Sequence, residues 1–99
     1  MNINEMQEQV IKLCKDKGFP LEKDKLSFLL GRISDELDEC VEAYSLNDEV
    51  SLKEELTDVL IQTIQVISTL DGNVEELFNY KMNKNFKRTW KKFKWTKET

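Results

Sequence analysis

Apolar residues recur at helical spacing in four stretches of the chain, which predicts four helices. The stretches cover about residues 4–17, 24–44, 52–70 and 73–90. One proline and three glycines are too few for a loop-rich or all-β chain. We therefore expect an all-α fold, a four-helix bundle whose single domain spans residues 1–99.

Turn and cap residues mark the expected helix ends. Gly18 is suited to stop the first helix, and Asp24 is expected to cap the start of the second. Ser51 followed by Glu54 forms a capping-box pattern for the third helix, and Asn73 precedes the fourth. Short turns between these helices favour a bundle of neighbouring helices.

The later helices carry apolar faces that we expect to be buried. The second helix has a stripe at Leu26, Leu30 (with Leu29), Ile33, Leu37, Val41 (with Cys40) and Tyr44. The fourth has a shorter one at Leu77, Phe78, Met82 and Phe86. The third helix is apolar over most of its circumference, which is typical of a helix at the centre of a bundle or at a subunit interface.

Two pairs of carboxylates form the most specific polar pattern. Glu36 and Glu39 are three residues apart in the second helix, and Glu55 and Asp58 are three apart in the third. Residues at that spacing lie on nearly the same side of a helix. If the two helices fold back antiparallel, the four carboxylates converge, and oxygen ligands of this kind hold divalent ions such as Mg²⁺. Such an ion commonly neutralises and positions a polyphosphate.

Gln62 and Gln65 continue the polar stripe of the third helix beyond Glu55 and Asp58. Aliphatic residues surround this stripe, a pattern typical of the lining of a polar pocket. A helix with one solvated side has the same pattern, and the sequence leaves both interpretations open.

Charge is divided unequally along the chain. Ten of the nineteen acidic residues lie between Asp35 and Asp58, and eight of the fifteen basic residues lie between Lys81 and Lys97. The acidic centre favours cation binding, and the basic end, including a tail at about 91–99, favours anion binding. Two solvated faces would give the same distribution. The net charge of −4 argues against nucleic acid as a partner, because phosphate contacts dominate such binding.

Composition disfavours several other classes of protein. No apolar run is long enough to span a membrane, and the N-terminus lacks the basic and apolar segments of a secretory signal. Cys14 and Cys40 lack metal-site spacing, and we expect them to be reduced, buried thiols of a cytoplasmic protein. The chain contains no histidine, which disfavours acid–base catalysis by that residue.

The carboxylate pairs and their surroundings resemble those of the MazG-like nucleotide pyrophosphohydrolases. The likeness rests on Glu36-Leu-Asp-Glu39, a gap of fifteen residues, and then Glu55-Leu-Thr-Asp58. It extends to Lys81-Met-Asn-Lys-Asn85-Phe-Lys-Arg88, which is similar to a segment of many short, phage-type members of the all-α NTP pyrophosphatase superfamily. The resemblance covers about residues 10–90, nearly the whole chain.

The resemblance implies hydrolysis of a nucleoside triphosphate to the monophosphate and pyrophosphate. The four carboxylates would bind Mg²⁺, or Mn²⁺ in its place, and Glu36 or Glu39 would accept the proton of the attacking water. Lys81, Asn85 and Arg88, which share one side of the fourth helix, would contact phosphate or sugar.

Self-association is a further implication of the resemblance, as a homodimer or homotetramer, and the broad apolar surface of the third helix agrees with it. The alternative is a non-catalytic helical module that keeps the fold and uses the apolar surface to bind another protein. A requirement for divalent metal separates the two hypotheses, because only the enzyme depends on the ion.

Overall fold

The computed structural model describes residues 1–88, and its regular elements are helices. They are α1 (Ile3–Lys17), a short 3₁₀ turn (Lys23–Lys25), α2 (Leu26–Ser45), α3 (Glu49–Thr69) and α4 (Val74–Lys87). For this part of the chain the all-α prediction with its four α-helices is confirmed. The predicted basic tail at 91–99 lies outside the described residues, and the single domain over 1–99 stays a prediction.

Two predicted helix ends are observed. Gly18 follows α1 in the left-handed conformation, with a φ of 73°, which glycine adopts without the strain that a Cβ would bring. Asn73 caps α4, because its side chain accepts a hydrogen bond of 2.9 Å from the backbone N–H of Glu76. Both helix ends therefore follow from one local residue each: the backbone freedom of Gly18 and the side-chain acceptor of Asn73.

Two other predicted ends are wrong. Asp24 lies inside the 3₁₀ turn, and α2 begins after Lys25, which makes no side-chain cap. Ser51 lies inside α3, which begins at Glu49, about one turn earlier than expected. Asp48 is the true cap, since it accepts hydrogen bonds from the backbone N–H of Ser51 at 3.0 Å and from its hydroxyl at 2.7 Å.

Helices α2 and α3 form an antiparallel hairpin. Glu36 in the middle of α2 is hydrogen-bonded to Gln62 of α3, whereas Ala43 near the turn lines a cavity with Leu52 at the start of α3. Asn47 makes the reversal with a φ of 55°, a conformation that asparagine tolerates better than most residues. The side of α2 turned towards α3 carries the buried residues Leu29, Cys40 and Ala43.

Helix α3 is central, as its apolar circumference predicted, since it contacts α1, α2 and α4. Its Ile64 packs with Val10 and Cys14 of α1 in a small buried core. The remaining sides of the hairpin and of α4 are not covered by this core.

A buried glutamine ties α1 to the turn between α3 and α4. Gln7 Nε2 donates to Ser68 Oγ at 3.0 Å and to the Gly72 carbonyl at 2.9 Å, and Gln7 Oε1 accepts from the Val74 N–H at 2.9 Å. The turn is tight, because a Cβ at Gly72 would lie 2.9 Å from the Ile67 side chain. This network fixes the start of α4 relative to the other helices.

Helix α4 contributes no buried residue. It contacts α1 and α3. Asn4 of α1 donates a hydrogen bond to Glu75 in the first turn of α4 and accepts one from the cap residue Asn73. Phe86, expected in the core, is 81 % exposed, and Leu77, Phe78 and Met82 are exposed as well. The predicted buried face of α4 is therefore wrong for a single chain.

Only part of the apolar stripe predicted for α2 packs in this chain. Val41 is 66 % and Tyr44 72 % exposed, and Leu30 and Leu37 are about half exposed. Leu29 and Cys40, which also belong to the predicted stripe, are buried, as is Ala43 beside them. The most apolar side of α2 and its packed side thus differ by one residue along the helix, which is about 100° of rotation.

The same one-residue step occurs on α3. Glu55 and Val59 are partly buried, whereas Leu56 and Leu60, each one position later, are exposed. Because the two helices run antiparallel, a step of one residue turns both of them to the same side of the hairpin. We call this side the exposed hairpin face, formed by Leu30, Leu37, Val41, Tyr44, Leu56 and Leu60.

Candidate metal centre

Three carboxylates meet where α2 faces α3. Among the described residues, Glu36, Glu39 and Glu55 each offer an oxygen, and these oxygens lie within 4.8 Å of one another. Glu36 and Glu39 are one turn apart on α2, and the antiparallel hairpin brings Glu55 opposite them. The arrangement places one turn of α2 and one residue of α3 around a common point.

The buried oxygens of this group lack hydrogen-bond donors. Within the described chain, Glu36 Oε2 and Glu55 Oε2 are buried and have no hydrogen-bond partner. Gln62 Nε2 donates to the other oxygen of Glu36 at 3.1 Å. Buried carboxylate oxygens without partners are costly, and binding of a cation removes that cost. The residues therefore fit a hard divalent ion, which prefers oxygen ligands.

Asp58 lies one turn beyond Glu55 on α3, outside the group of three. It is exposed and lines a cavity on the α1 side of the hairpin together with Arg32 and Gln62. Its charge still acts on the group, because it contributes to the raised pKa of Glu55. Of the four predicted ligands, the structure brings three together and leaves Asp58 beside them.

The predicted phosphate-binding residues lie on another part of the chain. Lys81 and Asn85 are in α4, and Arg88 follows its last turn. The two cavities lined by Glu39, Glu55 or Asp58 contain no side chain of α4 among the residues that the structure describes. Neither of these two cavities, as lined by the described residues, brings the α4 residues and the carboxylates together.

Sequence reasoning identified the polar stripe of α3 but gave no role to Arg32 of α2 next to it. Gln62 and Gln65 are 8 % and 3 % exposed, so this end of the stripe is a buried polar lining, whereas Asp58 is exposed. Arg32 lies beside it with its guanidinium carbon 5.8 Å from the centre of the Phe19 ring. The sequence does contain a signal for this role, because Arg32 lies one turn before Glu36 on the same side of α2.

Comparison with known proteins gives one match. A family model, the MazG nucleotide pyrophosphohydrolase domain, matches residues 25–95, most of the chain. The chain belongs to this family. No curated protein and no solved structure matches it significantly.

Membership in the MazG family indicates nucleotide pyrophosphohydrolase activity, and this family is typically dependent on a divalent metal. The matched residues include α2, α3 and α4, and therefore the whole carboxylate group. Among the residues that the structure describes, no helix has the length and apolar character needed to cross a membrane.

The surroundings of Glu55 in this MazG chain favour its protonated form. A hydrogen bond shared with Glu36 is the largest cause that raises the pKa of Glu55 to about 7, and burial and the charges of Glu39, Glu36 and Asp58 add to it. A proton shared by the carboxyl groups of Glu36 and Glu55 would also give a hydrogen bond to oxygens that otherwise have no partner. Metal and proton should therefore compete for the same place.

This competition predicts how the stability of the metal-free protein depends on pH. Folded Glu55 holds a proton up to about pH 7, whereas its ordinary pKa is 4.5, so the folded state binds more protons between these values. The stabilisation is complete below pH 4.5 and is lost as the pH rises through about 7. Thermal unfolding without metal should thus occur at a lower temperature at pH 8 than at pH 5.

The matched control for this prediction is Glu55→Gln, which keeps a hydrogen-bonding side chain but cannot ionise. The variant should show a smaller fall in unfolding temperature between pH 5 and pH 8 than the natural chain. Mg²⁺ should raise the unfolding temperature of the natural chain more at pH 8 than at pH 5. Equal pH dependence in the two proteins would contradict the assignment.

Cys40 lies beneath the carboxylate group and takes no part in acid–base chemistry. Burial, followed by the negative charges of Glu55, Glu36, Glu39 and Asp58, raises the pKa of its thiol. The thiol therefore stays protonated and neutral. Cys14 is also buried, and neither cysteine forms a disulfide. The structure therefore agrees with the prediction of reduced, buried thiols.

Proposed function

We propose that this protein is a nucleoside triphosphate pyrophosphohydrolase that uses Mg²⁺, or Mn²⁺ in its place, to convert a (d)NTP to the (d)NMP and pyrophosphate. The observation that carries the proposal is the group of Glu36, Glu39 and Glu55, with two buried oxygens that lack partners. Membership in the MazG family supplies the class of reaction.

Glu36, Glu39, Glu55 and Asp58 would hold the metal. When bound, the ion would neutralise charge on the phosphates and lower the pKa of a coordinated water. Asp58 lies outside the group of three, so a small change of its side-chain rotamer would be needed for it to join. Gln62 would keep Glu36 oriented through its hydrogen bond of 3.1 Å.

Glu36 and Glu39 are the candidates to accept the proton of the attacking water. Glu39 is exposed and is part of the group, so it can reach both the group and a solvent molecule. Glu36 is more buried and already accepts a hydrogen bond from Gln62. These features favour Glu39 as the base and Glu36 as a fixed ligand.

Lys81, Asn85 and Arg88 would contact the phosphates or the sugar. In one chain they lie on α4, whose contacts are with α1 and α3, while Glu36 and Glu39 are on α2. For both sets to touch one nucleotide, α4 of a second copy would have to approach the hairpin. The proposed reaction therefore requires an assembly of at least two chains.

Self-association also explains the surfaces that the single chain leaves uncovered. The exposed hairpin face and the apolar side of α4 are both solvent-exposed in one chain. Contiguous apolar surface of this kind usually marks an interaction site. A second copy of the chain is the proposed occupant of both surfaces.

A non-catalytic interaction module of the same fold is the alternative function. The observation in its favour is the same exposed apolar surface, which another protein could cover equally well. The carboxylate group would then have no role in the interaction. A cytoplasmic location, expected from the sequence, stays a prediction under either hypothesis.

The deciding experiment is a turnover assay on a panel of canonical and modified (d)NTPs, with Mg²⁺ and with a chelator. The enzyme should release equal amounts of the monophosphate and pyrophosphate from at least one nucleotide, and only with metal. Absence of turnover across the panel, by folded protein at high concentration, would favour the interaction module.

A further inference from the structure

A small cavity lies beside the candidate metal centre, on the side of the hairpin that α1 covers. Its volume is about 150 Å³. Its walls come from α1, α2 and α3 and from Phe19, which follows the end of α1. Leu13, Cys14 and Ile61 form an apolar part, and Arg32 and Gln62 form a polar part. Asp58 lines the same cavity and connects it to the carboxylate group.

The polar wall contains hydrogen-bonding groups that the protein does not use. Within the part of the chain that the structure describes, Arg32 has no ion pair or hydrogen bond, and its charged head contacts the face of Phe19. That cation–π contact holds the guanidinium in place and leaves its N–H edges free. The side chain is partly buried, so these unused donors point to an acceptor that comes from outside the protein.

Gln62 supplies the complementary acceptor. Its Nε2 must face Glu36, because an ionised carboxylate can only accept a hydrogen bond. Gln62 Oε1 is then left buried without a partner among the described residues. Gln65, which also lines the cavity, has its Nε2 committed to the Pro20 carbonyl at 2.8 Å. A ligand that offers both an acceptor and a donor would satisfy Arg32 and Gln62 together.

The volume limits the size of that ligand. A cavity of about 150 Å³ in another protein accommodates one benzene ring, and this cavity has the same volume. A six-membered ring with a carbonyl oxygen and a ring or exocyclic N–H would fill it and meet both polar groups. A fused two-ring system would extend out of the cavity between Leu13 and Phe19, each 40 % exposed, and would leave its second ring in solvent.

We propose that this cavity binds the base of the substrate and selects pyrimidine over purine nucleotides. The proposal rests on the proposed pyrophosphohydrolase function, which puts the phosphates at the carboxylates next to Asp58. Arg32 donates to the ring carbonyl that all pyrimidines carry beside the glycosidic nitrogen. Gln62 Oε1 accepts from the N3–H of thymine or uracil, or from the amino group of cytosine, and Phe19 positions Arg32.

The first test measures binding without turnover. Uniformly ¹⁵N-labelled full-length protein with saturating Mg²⁺ is titrated with dCMP, dTMP, dAMP and dGMP, which are products and are not turned over. The side-chain signals of Gln62, Gln65 and Arg32 are followed by NMR. The two pyrimidine monophosphates should shift these signals at concentrations at which the purines do not. Equal shifts with the purines, or no shift with any of the four, would overturn the proposal.

The second test measures selectivity in turnover. Arg32→Met should lower kcat/KM for dCTP and dTTP by about tenfold to a hundredfold, mainly through KM, as expected for loss of a hydrogen bond from a charged group. It should leave the lower kcat/KM for dATP and dGTP nearly unchanged. The matched control is Lys53→Met, which removes an exposed cation of α3 and should change neither value.

The two tests separate the base pocket from the reaction. Pyrimidine-selective shifts in a protein that turns over no nucleotide would keep the pocket and reject the pyrophosphohydrolase. Metal-dependent turnover that favours purines, or that Arg32→Met lowers equally for all four nucleotides, would keep the reaction and reject the pocket. Circular dichroism checks that each variant is folded.

Discussion

Glu55→Gln is expected to lower kcat for the best nucleotide substrate by about a thousandfold and, at the same time, to stabilise the metal-free protein at pH 8. Loss of turnover follows because the variant removes one of three oxygens that converge within 4.8 Å. A bound metal contributes several kcal/mol to such reactions, and about 4 kcal/mol corresponds to about a thousandfold in rate. The gain in stability follows because the amide cannot ionise. A hydrogen bond with Glu36, burial and neighbouring charges raise the pKa of Glu55 to about 7, so its ionised form at pH 8 is unfavourable in the folded chain.

The measurement is steady-state release of pyrophosphate with saturating Mg²⁺, together with thermal unfolding at pH 8 with and without the ion. Glu39→Gln should lose turnover to a similar extent. Glu54→Gln is the matched control, since it makes the same chemical change at the preceding, exposed position of α3 and should behave as the natural chain. Full activity in Glu55→Gln would reject the carboxylate group as the catalytic metal centre.

The opposite effects on rate and stability are the informative part of this experiment. A variant that is merely misfolded loses turnover and unfolds at a lower temperature. A variant that removes a ligand from a strained functional group loses turnover and unfolds at a higher temperature. Unfolding of Glu55→Gln should also become insensitive to Mg²⁺, because the ion then has no complete site to bind.

The carboxylate group is the part of the molecule that sequence reasoning placed best. Helical spacing puts Glu36 and Glu39 on one side of α2, and short turn signals predict that α3 returns beside it. These two local facts suffice to bring Glu55 opposite them. Asp58 shows the limit of the argument, because spacing alone cannot say which of two residues one turn apart points into the hairpin.

The buried faces were harder to predict, for a physical reason. The apolar stripe predicted for α2 included Val41 and Tyr44 as well as Leu29 and Cys40, and all of it was expected to pack. In the chain, α3 packs on the side with Cys40 and Ala43, where small residues let the helices approach. An apolar stripe shows that a surface is to be covered, but not whether the same chain or another one covers it.

Cap residues show the same dependence on context. Asn73 caps α4 as predicted: its side chain accepts a hydrogen bond from the backbone N–H of Glu76. Ser51 and Asp48 competed for the start of α3, and Asp48 caps it with a charged acceptor that binds both the N–H and the hydroxyl of Ser51. The cavity beside Arg32 was not predictable, since it depends on how α1 and Phe19 cross the hairpin.

Val41→Glu is expected to convert the natural assembly into single chains and to lower its thermal stability. Val41 is 66 % exposed at the centre of the exposed hairpin face. If a second copy covers this face, the variant buries two charges near the symmetry axis, which costs several kcal/mol without partners. The molar mass from light scattering should fall from a multiple of the chain mass of 11.7 kDa to that value.

Turnover should be lost along with the assembly, because Lys81, Asn85 and Arg88 reach the carboxylates only from another chain in the proposed arrangement. Phe28→Glu is the matched control: it replaces another exposed apolar residue of α2, about half a turn away from the exposed hairpin face. It should keep both mass and turnover. A natural chain that is already monomeric, or a Val41→Glu variant that keeps its mass, would show that this face does not bind a second copy. A monomeric variant with full turnover would show instead that one chain holds a complete site, and α4 would then have to reach the carboxylates of its own hairpin.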